Sequence, residues 1–187
     1  VFLTTAFIFD FDSLDLVSRY GGTELPLLYR ISAVWGGRAG PLLLWAAIMG
    51  TVTWFMSGRS VSNSVDIKLM HGFTGAIFVI SWILSPFAET TGWGGTLNPL
   101  LQTDLMVIHP PLVFAYYSLC LAVASIALAG LIKGRNAKQI HEAQLHWARA
   151  GFLVGTVGIG LGGLWAYTVL DWGGYWAWDP VETGSIL

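Results

Sequence analysis

The sequence predicts an all-α polytopic membrane protein, with about four full transmembrane helices, partial helices at both termini and a tryptophan-rich platform on the outer face. The first observation is the composition: 55% of the 187 residues are hydrophobic and 11% are charged, whereas soluble domains carry about 25% charged residues. The second is a set of four apolar segments whose lengths are close to the roughly 20 residues needed to cross a bilayer. The third is a dense aromatic cluster that directly follows the last of these segments.

The predicted transmembrane helices follow the apolar segments in chain order. They run approximately over Pro41–Ser57, Ile67–Phe87, Val107–Ile132 and Trp147–Leu170. The first is short, but the apolar stretch Ile31–Val34 lies just before it and could extend it past the break at Gly36 and Gly37. Val1–Phe9 resembles the end of a further helix. We expect residues 1–187 to form a single membrane domain that is a fragment or a split subunit of a larger protein.

Positive charge predicts the orientation of the chain. Six of the nine basic residues lie in two loops, namely Arg59, Lys68, Lys133, Arg135, Lys138 and Arg149. Loops rich in Lys and Arg stay on the cytoplasmic side, so Asp10–Val34, Ala88–Met106 and the residues from Asp171 onward are predicted to lie outside. We expect an integral protein, in contact with lipid, of a bacterial or archaeal cytoplasmic membrane or an organelle inner membrane. No basic run is present to bind nucleic acid.

Glycines are predicted to serve helix packing and turns. Six of them lie along the fourth segment, at Gly151, Gly155, Gly158, Gly160, Gly162 and Gly163. The spacing of the first two allows two helix backbones to approach closely, which predicts a helix buried between others. Trp-Gly-Gly occurs at residues 35–37, 93–95 and 172–174. We interpret each as an interfacial tryptophan beside a tight turn.

The tryptophan-rich motif, residues 172–183, predicts a binding surface for a large planar ligand. Its candidate cofactor-binding residues are Trp172, Gly173, Gly174, Tyr175, Trp176, Trp178 and Asp179. Indole rings stack on a porphyrin and donate N–H hydrogen bonds to carboxylates. The alternative is an interfacial aromatic belt, which explains one or two tryptophans well and four clustered aromatic residues poorly.

Two acidic residues of the motif have a structural explanation. Asp179 precedes Pro180, and Glu182 lies at the third helical position, which is the pattern of a helix amino-terminal cap. A helix is therefore predicted to begin at Pro180, and capping is favoured over an acid–base role. The same pattern predicts a short helix at Pro99 that is capped by Asn98.

His109 is the candidate metal ligand. It precedes Pro110 at the start of the third segment, and a residue before proline is disfavoured in the α region. We therefore expect His109 to be extended at the helix mouth, with its imidazole displayed towards the outer aqueous face. Neutral imidazole is a good axial ligand for haem iron. The alternative is a histidine that merely reaches the interface, but the motif on the same face favours the ligand.

Other candidate residues are weaker. Arg19, Arg30 and Arg38 are predicted to lie outside and could meet haem propionates. Among the remaining histidines, His71 is expected to be interfacial, and His141 and His146 to be solvated. Cys120, the single cysteine, is interpreted as a small core residue.

The residues from Trp172 to Glu182 resemble the "WWD" motif of haem-handling membrane proteins, which occurs in CcmF, CcmC and CcsA-type synthetases of cytochrome c maturation. Two further stretches resemble CcmF in particular, residues 29–37 followed by 42–45, and residues 98–102 leading to 109–112. Residues 38–41 between the first two depart from the family, whose relatives commonly have an acidic residue there. The motifs also follow the order of that family. The chain is thus similar to the amino-terminal part of a CcmF-like cytochrome c haem lyase.

The resemblance implies a component that takes b-type haem from a haem chaperone, holds it non-covalently and presents it to apocytochrome c, together with other cytochrome c maturation subunits. His109 aligns with an axial haem ligand of the family. Haem vinyl groups then form thioether bonds with the cysteines of the substrate, so no catalytic nucleophile or base is expected in this chain. The alternatives are a CcmC-like haem transfer or export protein, and a non-haem membrane scaffold subunit.

Overall fold

The computed structural model describes residues 1–58, 64–92, 94–169, 174–176 and 183–184, and the regular structure in these ranges is helical apart from one isolated bridge between Leu14 and Glu89. The helices are α1 Phe2–Ile8, α2 Asp15–Tyr20, α3 Leu27–Ala33, α4 Ala39–Ser57, α5 Val65–Ile83, a 3₁₀ helix Pro99–Leu101, α6 Asp104–Ile132 and α7 Ala137–Thr168. The predicted all-α class is confirmed for this part of the chain.

Three helices of the described ranges, α4, α6 and α7, are long and apolar enough to cross a membrane, with 19, 29 and 32 residues. They fit a membrane protein and correspond to three of the four predicted spans. The predicted span Ile67–Phe87 corresponds to α5, whose first turn contains Asp66 and Lys68. Because α5 is not among the three, the predicted count of four spans is not confirmed.

Polar caps determine where two helices begin. α7 begins at Ala137, well before the predicted Trp147. Asn136 Oδ1 accepts the Gln139 N–H at 3.0 Å, and Gln139 Oε1 accepts the Asn136 N–H at 3.1 Å. This reciprocal pair is a capping box, and it starts the helix in a polar stretch that an apolar pattern does not detect. The predicted cap is confirmed, since Asn98 Oδ1 accepts the Leu100 N–H at 3.0 Å.

The helices before the first long span are short. α1 confirms the helix predicted at Val1–Phe9. α3 ends at Ala33 and α4 begins at Ala39. The apolar stretch Ile31–Val34 therefore does not extend the first span, because the turn at Gly36 and Gly37 separates it from α4. The helix start predicted at Pro180 lies outside the described residues.

The chain divides into two compact units, and unit 1 comprises Val1–Pro41, Ser81–Pro110 and Gly158–Leu187. It contains the described parts of all three segments that the charge pattern predicts to lie outside. Backbone hydrogen bonds hold the loop after α5 on the start of α2, from Asp15 N to Ala88 O at 2.9 Å and from Thr90 N to Ser13 O at 2.8 Å.

Unit 2 comprises Leu42–Ile80 and Pro111–Val157. Its buried core consists of Met49, Met56, Met70, Ala122 and Ile126. A Cβ added at Gly151 would lie 3.4 Å from Leu119 Cβ, and one added at Gly155 would lie 2.6 Å from Tyr116 Cδ2. Absent side chains at Gly151 and Gly155 thus let α7 approach α6, which confirms the close helix packing predicted for this pair.

Candidate functional site

His109 lies inside α6, so the prediction of an extended residue at a helix mouth is wrong. The helix begins five residues earlier at Asp104, and Thr103 Oγ1 accepts the Leu105 N–H at 3.3 Å. The helix tolerates Pro110 because the Met106 carbonyl, which would pair with the missing Pro110 N–H, accepts Trp35 Nε1–H at 2.7 Å instead. Tertiary structure therefore overrides the local preference of a residue before proline.

The His109 imidazole packs on α7 within unit 1 and is half-buried, so its predicted display towards the outer aqueous face is also wrong. Its Nδ1 lies 2.9 Å from the carbonyl oxygen of Gly158. Because a carbonyl oxygen can only accept, Nδ1 donates, and the neutral imidazole keeps its lone pair on Nε2. Histidines that bind metals show the same arrangement, in which the other ring N–H is held by a backbone carbonyl.

Gly162 and Trp165 complete the surroundings of the imidazole. A Cβ added at Gly162 would lie 2.6 Å from His109 Cε1, so the ring occupies the space that a side chain would fill. The Trp165 ring meets the imidazole edge-on, with centroids 5.9 Å apart and an interplanar angle of 72°. Its Nε1 is buried and has no hydrogen-bond acceptor within the described residues.

The glycine run of α7, defined as Gly158, Gly160, Gly162 and Gly163, also receives Tyr175. Tyr175 Oη donates to the Gly160 carbonyl at 2.7 Å. A Cβ added at Gly163 would lie 2.9 Å from the Tyr175 carbonyl oxygen. Tyr175 of the tryptophan-rich motif thus contacts α7, the helix on which the His109 ring packs.

The glycine run is the feature that sequence reasoning missed as a site. It was predicted to serve helix packing, yet in unit 1 it accommodates a histidine and a tyrosine. The available signal was the density of glycines at 158–163, with Trp165 two residues after the last of them. Of the predicted motif residues, the structure describes Gly174, Tyr175 and Trp176, while Trp172, Gly173, Trp178 and Asp179 lie outside the described residues.

The three candidate arginines differ in what they contact. Arg19 Nε pairs with Asp15 Oδ2 at 2.8 Å. Arg30 donates to three backbone carbonyls, those of Leu25, Ile8 and Thr23. Arg38 is exposed and has no hydrogen bond or ion pair within the described part of the chain. Of these three arginines, Arg38 is thus the one whose guanidinium makes no hydrogen bond or ion pair within the described residues.

The remaining candidates do not form a metal site. His71 Nδ1 lies 2.8 Å from Ile67 O of its own helix, while His141 and His146 are exposed, as predicted. Cys120 is exposed on α6, so its interpretation as a core residue is wrong. Among the described residues, no three or more His, Cys, Asp or Glu side chains lie close enough together to hold a metal ion. His109 suits haem iron, because a porphyrin supplies four nitrogens and the protein need add only an axial ligand.

In the described ranges these features fit an all-α membrane protein in which a histidine with a fixed tautomer packs on a glycine-rich helix. Residues 35–187 match the family model described as "Cytochrome C assembly protein". The chain belongs to this family, and its predicted resemblance to CcmF is confirmed.

Relatives of this family align with almost the whole chain. The chain is 34% identical to the cytochrome c-type biogenesis protein CcmF of Escherichia coli (strain K12), over 99% of the chain and 30% of that relative. It is 36% identical to CcmF of Pseudomonas aeruginosa, with the same coverage of 99% and 30%. It is 31% identical to the cytochrome c-type biogenesis protein NrfE of Haemophilus influenzae, over 99% of the chain and 31% of that relative. The chain thus spans about 30% of the length of these relatives, and no solved structure matches it.

Proposed function

We propose that this chain binds haem in unit 1 and presents it for covalent attachment to apocytochrome c, as a component of a cytochrome c haem lyase. The observation that carries the proposal is the hydrogen bond from His109 Nδ1 to the Gly158 carbonyl at 2.9 Å. This bond fixes the tautomer and orientation of the imidazole and leaves Nε2 as the iron ligand. Membership of the cytochrome c assembly family supports the same role.

The surroundings of His109 fit a haem. Trp165 carries a buried indole N–H without an acceptor among the described residues, and such a donor matches a haem carboxylate or an iron-bound acceptor. Tyr175 and Trp176 lie in the same unit, and Trp172 and Trp178 remain candidates for the rest of the aromatic surface. The haem is b-type and held non-covalently before its transfer. Burial of the porphyrin contributes about 25 cal/mol per Å² of apolar surface.

Arg38 is the propionate partner that we favour. The Arg30 donors are used by three backbone carbonyls and the Arg19 Nε by Asp15. A free guanidinium binds a carboxylate through two parallel, charge-assisted hydrogen bonds. Arg38 lies three residues after Trp35, in the turn between α3 and α4 in unit 1.

The attachment chemistry needs orientation and no nucleophile or base from this chain. Each substrate thiol adds across a haem vinyl group: sulfur bonds to one vinyl carbon and the thiol proton goes to the other, so no external reductant or oxidant is consumed. Holding the vinyl carbons near both thiols of a Cys-x-x-Cys-His segment makes the step effectively unimolecular. His109 and the aromatic residues serve this purpose by fixing the haem.

The proposed setting follows from the family and the charge pattern. The protein lies in a cytoplasmic membrane or an organelle inner membrane, with the tryptophan-rich motif on the outer side. It receives haem from a haem chaperone, works with other cytochrome c maturation subunits and releases haem to apocytochrome c.

Haem content of a His109→Ala variant tests the proposal. The protein is expressed in its native membrane, purified in detergent and measured by its Soret absorption per protein. We expect His109→Ala to lose most of its haem and to stop c-type cytochrome production. The matched control is His71→Ala, whose imidazole bonds only to its own helix among the described residues and whose haem content should be unchanged.

Unchanged haem content in His109→Ala would remove His109 as a ligand. Haem loss with continued cytochrome c production would contradict the proposed role in haem attachment. Absence of haem from both variants and from the unmodified protein would favour the non-haem scaffold.

A further inference from the structure

The start of α6 contains a gap in its hydrogen bonding that a distant residue fills. Pro110 has no N–H, so the carbonyl oxygen of Met106, four residues earlier, loses its helical donor. Met106 is 3% exposed, so water cannot take the place of that donor. A buried carbonyl without a partner destabilises the fold.

Trp35 provides the missing donor. Its Nε1 donates to the Met106 carbonyl at 2.7 Å, across 71 positions of sequence. The indole N–H thus takes the place of the backbone N–H that a residue other than proline would supply at position 110. This contact exceeds what an interfacial tryptophan requires, because interfacial anchoring depends on the size and amphipathic character of the ring and not on one backbone acceptor.

The turn that carries Trp35 is itself fixed. A Cβ added at Gly36 would lie 3.0 Å from Leu97 Cδ1, and one added at Gly37 would lie 3.0 Å from both Leu16 Cδ2 and Tyr20 Cε2. Leu97 is fully buried. The indole therefore projects from a tightly packed turn. Because this turn is fixed, the indole can restrain the position of α6 and does not simply move with that helix.

His109 lies three residues after Met106, on the same first turns of α6. Its Nδ1 must meet the Gly158 carbonyl at 2.9 Å, which requires these turns to keep helical geometry despite two consecutive prolines. We propose that Trp35 is a positioning residue: its indole N–H replaces the amide that Pro110 lacks and so sets the orientation of His109 on α7. The proposal rests on the proposed function, in that His109 is taken as the haem ligand.

The experiment restores the hydrogen bond by a second route. Trp35→Phe removes the indole N–H and keeps an aromatic ring, and Pro110→Ala returns a backbone N–H to the Met106 carbonyl. Four proteins are compared in full-length form: unmodified, Trp35→Phe, Pro110→Ala and Trp35→Phe/Pro110→Ala. Trp82→Phe is the matched control, because Trp82 is 74% exposed. Each protein is titrated with haemin and its spin state is recorded by electron paramagnetic resonance.

We expect Trp35→Phe to weaken haemin binding by about tenfold, in the range seen when a residue that orients a metal ligand is lost, and to change the spin-state signal. The double variant should regain the unmodified affinity and signal, while Trp82→Phe changes neither. Hydrogen exchange of the amides in residues 104–109, measured without haemin, should accelerate in Trp35→Phe and return to the unmodified rate in the double variant.

The outcomes distinguish the positioning role of Trp35 from the proposed haem-binding function of His109. Unmodified exchange and haemin binding in Trp35→Phe, or failure of Pro110→Ala to restore them, would overturn the positioning role. If His109→Ala leaves the haemin titration unchanged while Trp35→Phe still accelerates exchange and the double variant restores it, the proposed function fails and the hydrogen-bond replacement stands.

Discussion

Two stretches of α7 use glycine for different purposes. In unit 2, Gly151 and Gly155 make room for the side chains of Leu119 and Tyr116, which are large and mainly apolar. In unit 1, the glycine run makes room for an imidazole and a tyrosine, and the carbonyls of Gly158 and Gly160 accept hydrogen bonds from them. The first stretch is a packing surface, whereas the second is a binding surface for polar side chains.

The difference shows that the absence of a side chain has two separate consequences. It lets a neighbour approach, which stabilises helix packing, and it exposes the helix carbonyls, whose second lone pair can accept a further hydrogen bond. Only the second consequence orients a titratable ring. Glycine content alone therefore does not distinguish a packing stretch from a site, and the nature of the facing side chain does.

Among changes in the two glycine stretches and their partners, the largest effect on haem is expected from Gly162→Ala. The added methyl group would lie 2.6 Å from His109 Cε1 and 3.2 Å from Nδ1, so the ring must move away from the Gly158 carbonyl. We expect haem affinity to fall by about tenfold or more, together with a stability loss of about 1–3 kcal/mol. Haemin titration and thermal unfolding measure the two quantities.

The control for this change is Gly160→Ala in the same run. Its added methyl group would lie 3.6 Å from Tyr175 Oη, an ordinary contact distance, so haem affinity should stay within about twofold of the unmodified protein. Equal haemin affinities in Gly162→Ala and Gly160→Ala would contradict the account of the glycine run.

A smaller effect is expected from Tyr175→Phe. The variant keeps the ring and removes the hydrogen bond to the Gly160 carbonyl, which measures 2.7 Å. Such a bond contributes about 0.5–1.5 kcal/mol, so haem affinity should fall by at most roughly tenfold, with no change in the spin state of the iron. A changed spin state would mean that Tyr175 acts on the iron ligand itself.

The smallest effect on haem is expected from Gly155→Ala, although this variant should be unstable. Its added methyl group would lie 2.6 Å from Tyr116 Cδ2, and overpacking of this kind costs about 1–3 kcal/mol. We expect a lower unfolding temperature and an unchanged haem spectrum in the fraction that remains folded. Gly151→Ala, with its nearest contact at 3.4 Å, serves as the milder control. Haem loss in Gly155→Ala equal to that in Gly162→Ala would remove the distinction between the two stretches.

Much of the fold was predictable because the length of an apolar segment depends only on consecutive residues. Pro41–Ser57 and Val107–Ile132 were predicted within a few residues of α4 and α6, and Asn98 was predicted as a cap because Pro99 follows it directly. The beginning of α7 was missed because the Asn136–Gln139 capping box starts the helix in polar sequence. The predicted count of four spans is not confirmed, since α5, whose start contains Asp66 and Lys68, is not among the three long apolar helices of the described residues.

The sequence selects His109 as a candidate ligand, a role that stays a prediction, and it does not predict the conformation or contacts of this residue. His109 could be selected from its residue type and its neighbouring prolines. Its helical conformation could not be predicted, because it depends on the hydrogen bond from Trp35 to the Met106 carbonyl, which joins residues 71 positions apart. Gly158, Gly162 and Trp165 were likewise beyond local reasoning, since only packing of α6 against α7 within unit 1 brings them to the imidazole. Long-range hydrogen bonds of this kind leave no periodicity in the sequence.

Chemical rescue of a His109→Gly variant tests the central claim most directly. The claim is that Nε2 of His109 ligates haem iron while Nδ1 donates to the Gly158 carbonyl. Full-length His109→Gly protein is titrated with haemin in the absence and presence of imidazole, and the Soret band and spin state are recorded. We predict a weakened, shifted band without imidazole and recovery of the unmodified spectrum with it, because free imidazole fills the space that the side chain leaves. An unmodified spectrum in His109→Gly without imidazole would contradict the account.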